Sequence, residues 1–162
     1  MLAVLKDTEI VSIVVVIGAA SHLMVHELRN EKIIIAHNEK WHEGIASSIR
    51  SGIIALQKNY PACDGTLIMV VDQPYITSAL LSDLIEAQKK SGKPAAACKY
   101  ENTTGTPALF HQSLFAELLN LKGDRGAGKI LLQRPADVAI IPFPKGATDI
   151  DTEEDYNTLL KK

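Results

Sequence analysis

The 162-residue chain predicts an α/β fold, a three-layer α/β/α sandwich around a mostly parallel, Rossmann-like sheet. Two observations carry this expectation. Several apolar runs are rich in β-branched residues and nearly continuous, as strands buried on both faces are. They alternate with segments whose apolar residues recur at helical spacing. In order, 10–18 ("IVSIVVVIG", bounded by Gly18) is a buried strand, 21–30 a short helix, and 31–38 the next strand. Residues 43–59 carry Ile45, Ile49, Ile53 and Leu56, the apolar stripe of a helix. A third buried strand, 64–74, stops at Pro74, and 77–92 is an amphipathic helix that Thr77 or Ser78 caps and Gly92 closes. Two strands follow, at 93–101 and 106–111, too close for an intervening helix and so open to antiparallel pairing. Residues 112–122 and 124–134 read as helices, 137–144 as the last strand and 151–162 as the last helix. No repeat or linker interrupts the chain, so a single domain, 1–162, is expected.

Composition narrows the function classes. Hydrophobic residues make up 46% and charged residues 22%, the balance of an ordinary globular domain. A net charge of −2 provides no basic field for nucleic acid or a membrane surface, and 5% aromatic residues are few for stacking single strands. Cys63 and Cys98 make neither a zinc quartet nor a disulfide framework and suit buried thiols of a cytoplasmic protein. No signal peptide is visible, and the apolar stretch 10–20 is too short to span a bilayer.

Four stretches bear on chemistry. "GDRGAGKIL" (123–131) nearly matches a P-loop, but a helical segment precedes it and Ile130 stands where a hydroxyl is needed. A helix–helix turn, with Asp124 capping the second helix, explains it instead. "MVVDQP" sets Asp72 directly after a strand, where open α/β sheets bind ligands. There it could hold Mg²⁺ through one carboxylate or form a turn before Pro74. "TDIDTEEDY" carries Asp149 and Asp151, whose side chains share a direction if the segment is extended. Thr152 and Asp155 match a capping box, which leaves Asp149 and Asp151 available to join Asp72 around one or two Mg²⁺ ions. "NEKWHEGIASSIRSG" holds Asn38, Trp41, Gly44, Ser47 and Ser48 at a helix start, where free N–H groups and hydroxyls suit a phosphate or a base edge. Ordinary capping, with Trp41 as a core anchor, explains that stretch as well. Gly105 and Thr106 form a flexible turn before a strand. His22 and His26 are four apart on a helix, but Leu23 replaces the glutamate of H-E-x-x-H, and exposed helix histidines account for them.

Five stretches, "NEKWHEGIASSIRSGI", "MVVDQPYIT", "YENTTGTPALF", "LKGDRGAGKIL" and "DIDTEEDY", occur in the order seen in the molybdenum cofactor cytidylyltransferases. The chain resembles that family from about Val4 to Tyr156. The resemblance implies a glycosyltransferase-A-type nucleotidyltransferase. Such an enzyme transfers CMP or GMP from CTP or GTP to the terminal phosphate of a molybdopterin-type acceptor and releases pyrophosphate. Asp72 then matches the catalytic Mg²⁺-binding aspartate, and Asp149 or Asp151 the second acidic site. Asn38, Gly44, Ser47 and Ser48 match the nucleotide side, and Gly105 to Pro107 with Gly123 to Ala127 the turns facing the acceptor. A molybdoenzyme or its maturation chaperone is the implied partner.

The sequence departs from the family in one respect. The glycine-rich loop L-A-A-G-x-S-x-R-x-G and the lysine that follows it have no match here, and Met1 to Asp7 resembles the end of the helix after that loop. One βα unit, about 30 residues by the length of such a unit, is missing from the pattern. Its strand normally lies mid-sheet, so a gap or two unpaired edges are expected. Either an upstream segment supplies the loop, or the chain is a non-catalytic paralogue that binds a pterin, a nucleotide or a partner subunit.

Overall fold

The structure, a computed structural model, describes residues 2–19 and 21–160, and their side chains except those of Lys6 and His22. Met1, Ala20, Lys161 and Lys162, which the expected single domain includes, lie outside the described residues, as does the His22 side chain of the helix histidine pair. The elements run α1 (Leu2–Lys6), β1 (Val14–Ile17), α2 (Ser21–Leu28), β2 (Ile34–His37), α3 (Ile45–Asn59) and β3 (Gly65–Ile68). They continue with α4 (Ser78–Ser91), β4 (Ala95–Tyr100), β5 (Thr103–His111), α5 (Phe115–Leu119), α6 (Gly128–Gln133), β6 (Val138–Pro142) and α7 (Glu153–Leu160).

The elements alternate as expected, but the strands are shorter. β1 and β2 pair in parallel, Val14 opposite Ile34 through Ile17 opposite His37. The other described strands form a sheet in the order β3-β5-β4-β6. Within it β4 and β6 are parallel, Ala95 opposite Val138 through Lys99 opposite Pro142. The expected sheet is thus divided into two, as the expectation of a gap allows. β4 and β5 are neighbours joined by the two-residue turn Glu101–Asn102. So short a link admits only an antiparallel pair. Glu101 takes a φ of 49° in that turn. The two strands read as buried are only partly so, since Val14–Val16 and all of β3 are half-buried; β4, read simply as a strand, is buried from Ala95 to Cys98.

The chain forms two compact units. One comprises residues 2–9, 67–109 and 134–160; the other, Ile10–Thr66 and Phe110–Gln133. In the first, α4 lies on β4 and β6. It buries Leu80, Leu81 and Leu84, each worth about 1.5–3 kcal/mol when removed from water. The alanines of β4, 0–2% exposed, leave room for its close approach. Burial also pushes the Cys98 thiol up to about 12, while Cys63, expected buried, is half-buried. In the second unit α3 packs on β1 and α5 and buries Ala46, Ile49, Ile53 and Leu56.

Capping of α4 and α7 follows the sequence. Leu80 N–H donates to Thr77 Oγ1 at 3.2 Å, and Gly92 ends α4 in the left-handed region. Asp155 N–H donates to Thr152 Oγ1 at 3.1 Å while Thr152 N–H donates to Asp155 Oδ2 at 2.9 Å, a reciprocal capping box at the start of α7. Among the described residues no helix is long and apolar enough to cross a membrane.

Candidate functional site

Asp72 is not at a strand end. β3 stops at Ile68 and Asp72 sits in the turn beyond it, because distant segments rather than a ladder take up the polar groups there. Ile150 N–H donates to the Asp72 carbonyl at 2.9 Å. Gln73 Nε2 donates to the Gly146 carbonyl at 2.8 Å, and Lys145 Nζ lies 4.9 Å above the Tyr75 ring. Because Asp149 and Asp151 flank Ile150, these contacts bring all three carboxylates into one neighbourhood. Partial desolvation, then the charges of Asp72 and Asp151, push the Asp149 carboxyl above its ordinary value. Asp72 is half-buried and its Oδ1 is buried without a hydrogen-bond partner; Asp149 and Asp151 are exposed.

An orphaned carboxylate oxygen beside two further carboxylates has the chemistry of a hard-cation site, since Mg²⁺ takes one or two carboxylates and completes its shell with water and substrate phosphate. Among the described residues no group of three or more His, Cys, Asp or Glu side chains is drawn together tightly enough to hold a metal by itself.

Asn38, Gly44, Ser47 and Ser48 form a second group, in the other unit. Asn38 is buried and bridges β2 to α3. Its Nδ2 donates to Ser47 Oγ at 2.8 Å and to Ser48 Oγ at 3.0 Å, and its Oδ1 accepts from Lys40 N–H at 3.0 Å. The helix start is less open than expected. Ala46 N–H donates to the Gly123 carbonyl at 3.1 Å, and Ser47 N–H to the Gly44 carbonyl at 3.0 Å. Ser47 Oγ also donates to the Gly44 carbonyl, at 2.8 Å. A carbonyl from another segment thus takes one of the free donors expected here, and the Ser47 hydroxyl is spent internally. Ser48 Oγ, half-buried, accepts from Asn38 and keeps its own proton to donate.

Three further expectations are corrected. Gly105 and Thr106 lie inside β5 rather than in a turn before it, since the chain reverses at Glu101–Asn102. A Cβ on Gly105 would come 2.8 Å from the Tyr100 hydroxyl, and the Thr106–Pro107 peptide is cis. Asp124 does not cap a helix: α6 begins only at Gly128, and Asp124 instead places Oδ1 against Gly44. Trp41 is not a core anchor. It is 51% exposed, in a 3₁₀ turn ahead of α3, and a Cβ added to Gly18 would meet its Cβ, Cγ and Cδ1 at 2.6–3.5 Å.

The sequence patterns did not single out Gln73, Lys145 or Tyr75, nor the Gly44–Asp124 contact. Gln73 carried one signal, its place directly after Asp72. The others depend on segments far apart in the chain.

Comparison with known proteins adds the following. The family model described as the MobA-like NTP transferase domain matches residues 1–138. No curated protein sequence matches. Among solved structures, the homologue of Mycobacterium tuberculosis Rv0371c from Mycobacterium sp. strain JC1 is 26% identical. That match covers 99% of this chain and 79% of the other, with a TM-score of 0.80. Rv0371c of M. tuberculosis in complex with manganese is 24% identical over 99% of this chain and 83% of its own, TM-score 0.79. The molybdopterin-guanine dinucleotide biosynthesis protein A of Archaeoglobus fulgidus is 18% identical over 90% and 75%, TM-score 0.61. The mixed α/β arrangement is that of the glycosyltransferase-A-like nucleotidyltransferases.

Proposed function

Because the chain belongs to the MobA-like NTP transferase domain family, whose members are nucleotidyltransferases, we propose that it transfers CMP or GMP from the nucleoside triphosphate to a phosphorylated, molybdopterin-type acceptor. An acceptor phosphate oxygen attacks the α-phosphorus in line, the bond from that phosphorus to the β-phosphate bridging oxygen breaks, and pyrophosphate leaves with the electron pair. No protein nucleophile is required; positioning and charge stabilisation are what such transfers need. A divalent cation, Mg²⁺ in this proposal, would supply the charge stabilisation. Asp72, with Asp149 and Asp151, would hold it, and Asn38, Gly44 and Ser48 would serve the nucleotide side. Gly105 and Thr106 would face the acceptor. The reaction suits the cytoplasm, with a molybdoenzyme or its maturation chaperone receiving the product.

The observation that carries this reading is the buried, unpartnered Oδ1 of Asp72 next to carboxylates that repel one another. Leaving such an acceptor unsatisfied costs about 1–3 kcal/mol, an expense a bound cation offsets. The test is pyrophosphate release from each of the four common nucleoside triphosphates, with Mg²⁺ and a molybdopterin acceptor. Release with CTP or GTP is expected, with loss of at least about 100-fold in Asp72→Asn, the scale of one major electrostatic group. No release with any triphosphate would sink the catalytic reading and leave the non-catalytic nucleotide- or partner-binding one.

A further inference from the structure

Gln73 is 3% exposed, one of the few buried polar side chains described. Its carboxamide makes a single bond, from Nε2 to the Gly146 carbonyl, while Oε1 is buried with no partner. A side chain chosen for stability would satisfy both ends or be apolar, since each orphaned acceptor is destabilising. Half of its hydrogen-bonding capacity is forfeited to keep that one bond.

The bond's acceptor is itself immobilised. A Cβ on Gly146 would fall 2.5 Å from Phe143 Cδ1 and 2.5 Å from Tyr100 Cδ1, so two rings hold its backbone. Those rings meet edge to face at 6.4 Å, and Phe143 N–H donates to the Lys99 carbonyl at 2.8 Å, which ties the segment to the end of β4. Gln73 therefore fastens the Asp72 turn to a fixed point on the segment that continues to Asp149 and Asp151. The Ile150 N–H bond to Asp72 closes the same junction on its other side.

We infer that Gln73 is a positioning residue: its buried bond to Gly146 holds Asp72 in register with Asp149 and Asp151. The inference rests on the proposed role of these carboxylates in holding a cation. Outer-shell groups of this kind typically change metal affinity about 10–100-fold when removed.

The experiment compares wild type with Gln73→Leu by two measurements: titration with Mn²⁺ as the probe cation, and hydrogen exchange of the Ile150 amide in metal-free protein. Gln73→Asn, which keeps the carboxamide but shortens its reach, carries the test if Gln73→Leu does not fold. Expected are a Kd for Mn²⁺ raised about 10-fold or more, and Ile150 exchange accelerated while amides in the middle of β4 stay protected. Unchanged Ile150 exchange overturns the inference whatever the metal does, and so does faster exchange with unchanged Mn²⁺ affinity. A wild-type protein that binds no Mn²⁺ sinks the cation role proposed for the carboxylates, while Ile150 exchange still decides whether Gln73 holds the turn.

Discussion

Replacing Gly44 by alanine tests the junction at the start of α3. Gly44 has φ 93° and ψ 179°. That region is essentially closed to residues with a Cβ and costs them about 1–3 kcal/mol. An added Cβ would also lie 2.2 Å from Asp124 Oδ1, 2.7 Å from the Gly123 carbonyl carbon and 2.8 Å from its oxygen. The Asp124 side chain can swing away, but the Gly123 backbone is held by Ala46 N–H and cannot yield cheaply. Overpacking of this kind adds about 1–3 kcal/mol, for a total of roughly 2–6 kcal/mol.

Gly92 is the internal control. It also has a positive φ, 64°, but nothing lies within 4 Å of an added Cβ. Gly92→Ala should therefore cost only the conformational part, about 1–2 kcal/mol. At about 2–4 °C per kcal/mol for a chain of this size, Gly44→Ala should lower Tm by roughly 8–16 °C for a mid-range loss of about 4 kcal/mol, and Gly92→Ala by roughly 2–8 °C. Thermal melts followed by circular dichroism measure both. Adding Asp124→Gly to Gly44→Ala should recover only part of the loss, because the Gly123 contact persists. A Gly44→Ala melt no lower than that of Gly92→Ala would refute the described contact with Gly123.

Asn38→Ala removes three bonds made by a buried side chain, at about 1 kcal/mol net each. Tm should fall by roughly 6–12 °C, and a loss under about 2 °C would contradict the bridge from β2 to α3. Asp155 gives a pH test. Hydrogen bonds from the Thr152 side chain and backbone hold its carboxyl below the ordinary 3.8. A depressed folded pKa contributes stability that is present above the unfolded value and lost as pH falls through the folded one. Hydrogen exchange across α7 should therefore be faster in Asp155→Asn than in wild type at neutral pH, and the two should converge on acidification below 3.8. A difference that persists in acid would count against the capping box.

The features legible in the sequence were those set by neighbours within a few residues. Thr77 at the start of α4, Gly92 at its end and the Thr152–Asp155 box all form as read, because a cap needs only a side chain and an amide in adjacent turns. The alternation of apolar runs with helical stripes likewise announced the α/β class. Boundaries fared worse. The run 64–74 remains apolar as far as Val71, yet β3 ends at Ile68 because Asp72 and Gln73 bond to residues near 150 rather than to a strand.

The candidate site divides in the same way. Asp149 and Asp151 were recognisable as carboxylates that capping does not require, whereas Asp72 read equally as a cation ligand or as a turn residue before Pro74. The sequence by itself determined the class of fold, the caps of α4 and α7 and the residue types available for chemistry, since these follow from local propensity and period. Only the tertiary structure decided that Ile150 meets Asp72, that Gln73 grips Gly146 and that Asp124 faces Gly44 instead of capping a helix. Each is a contact between segments distant in the chain, selected by packing, and no local pattern encodes which distant backbone group a side chain will find.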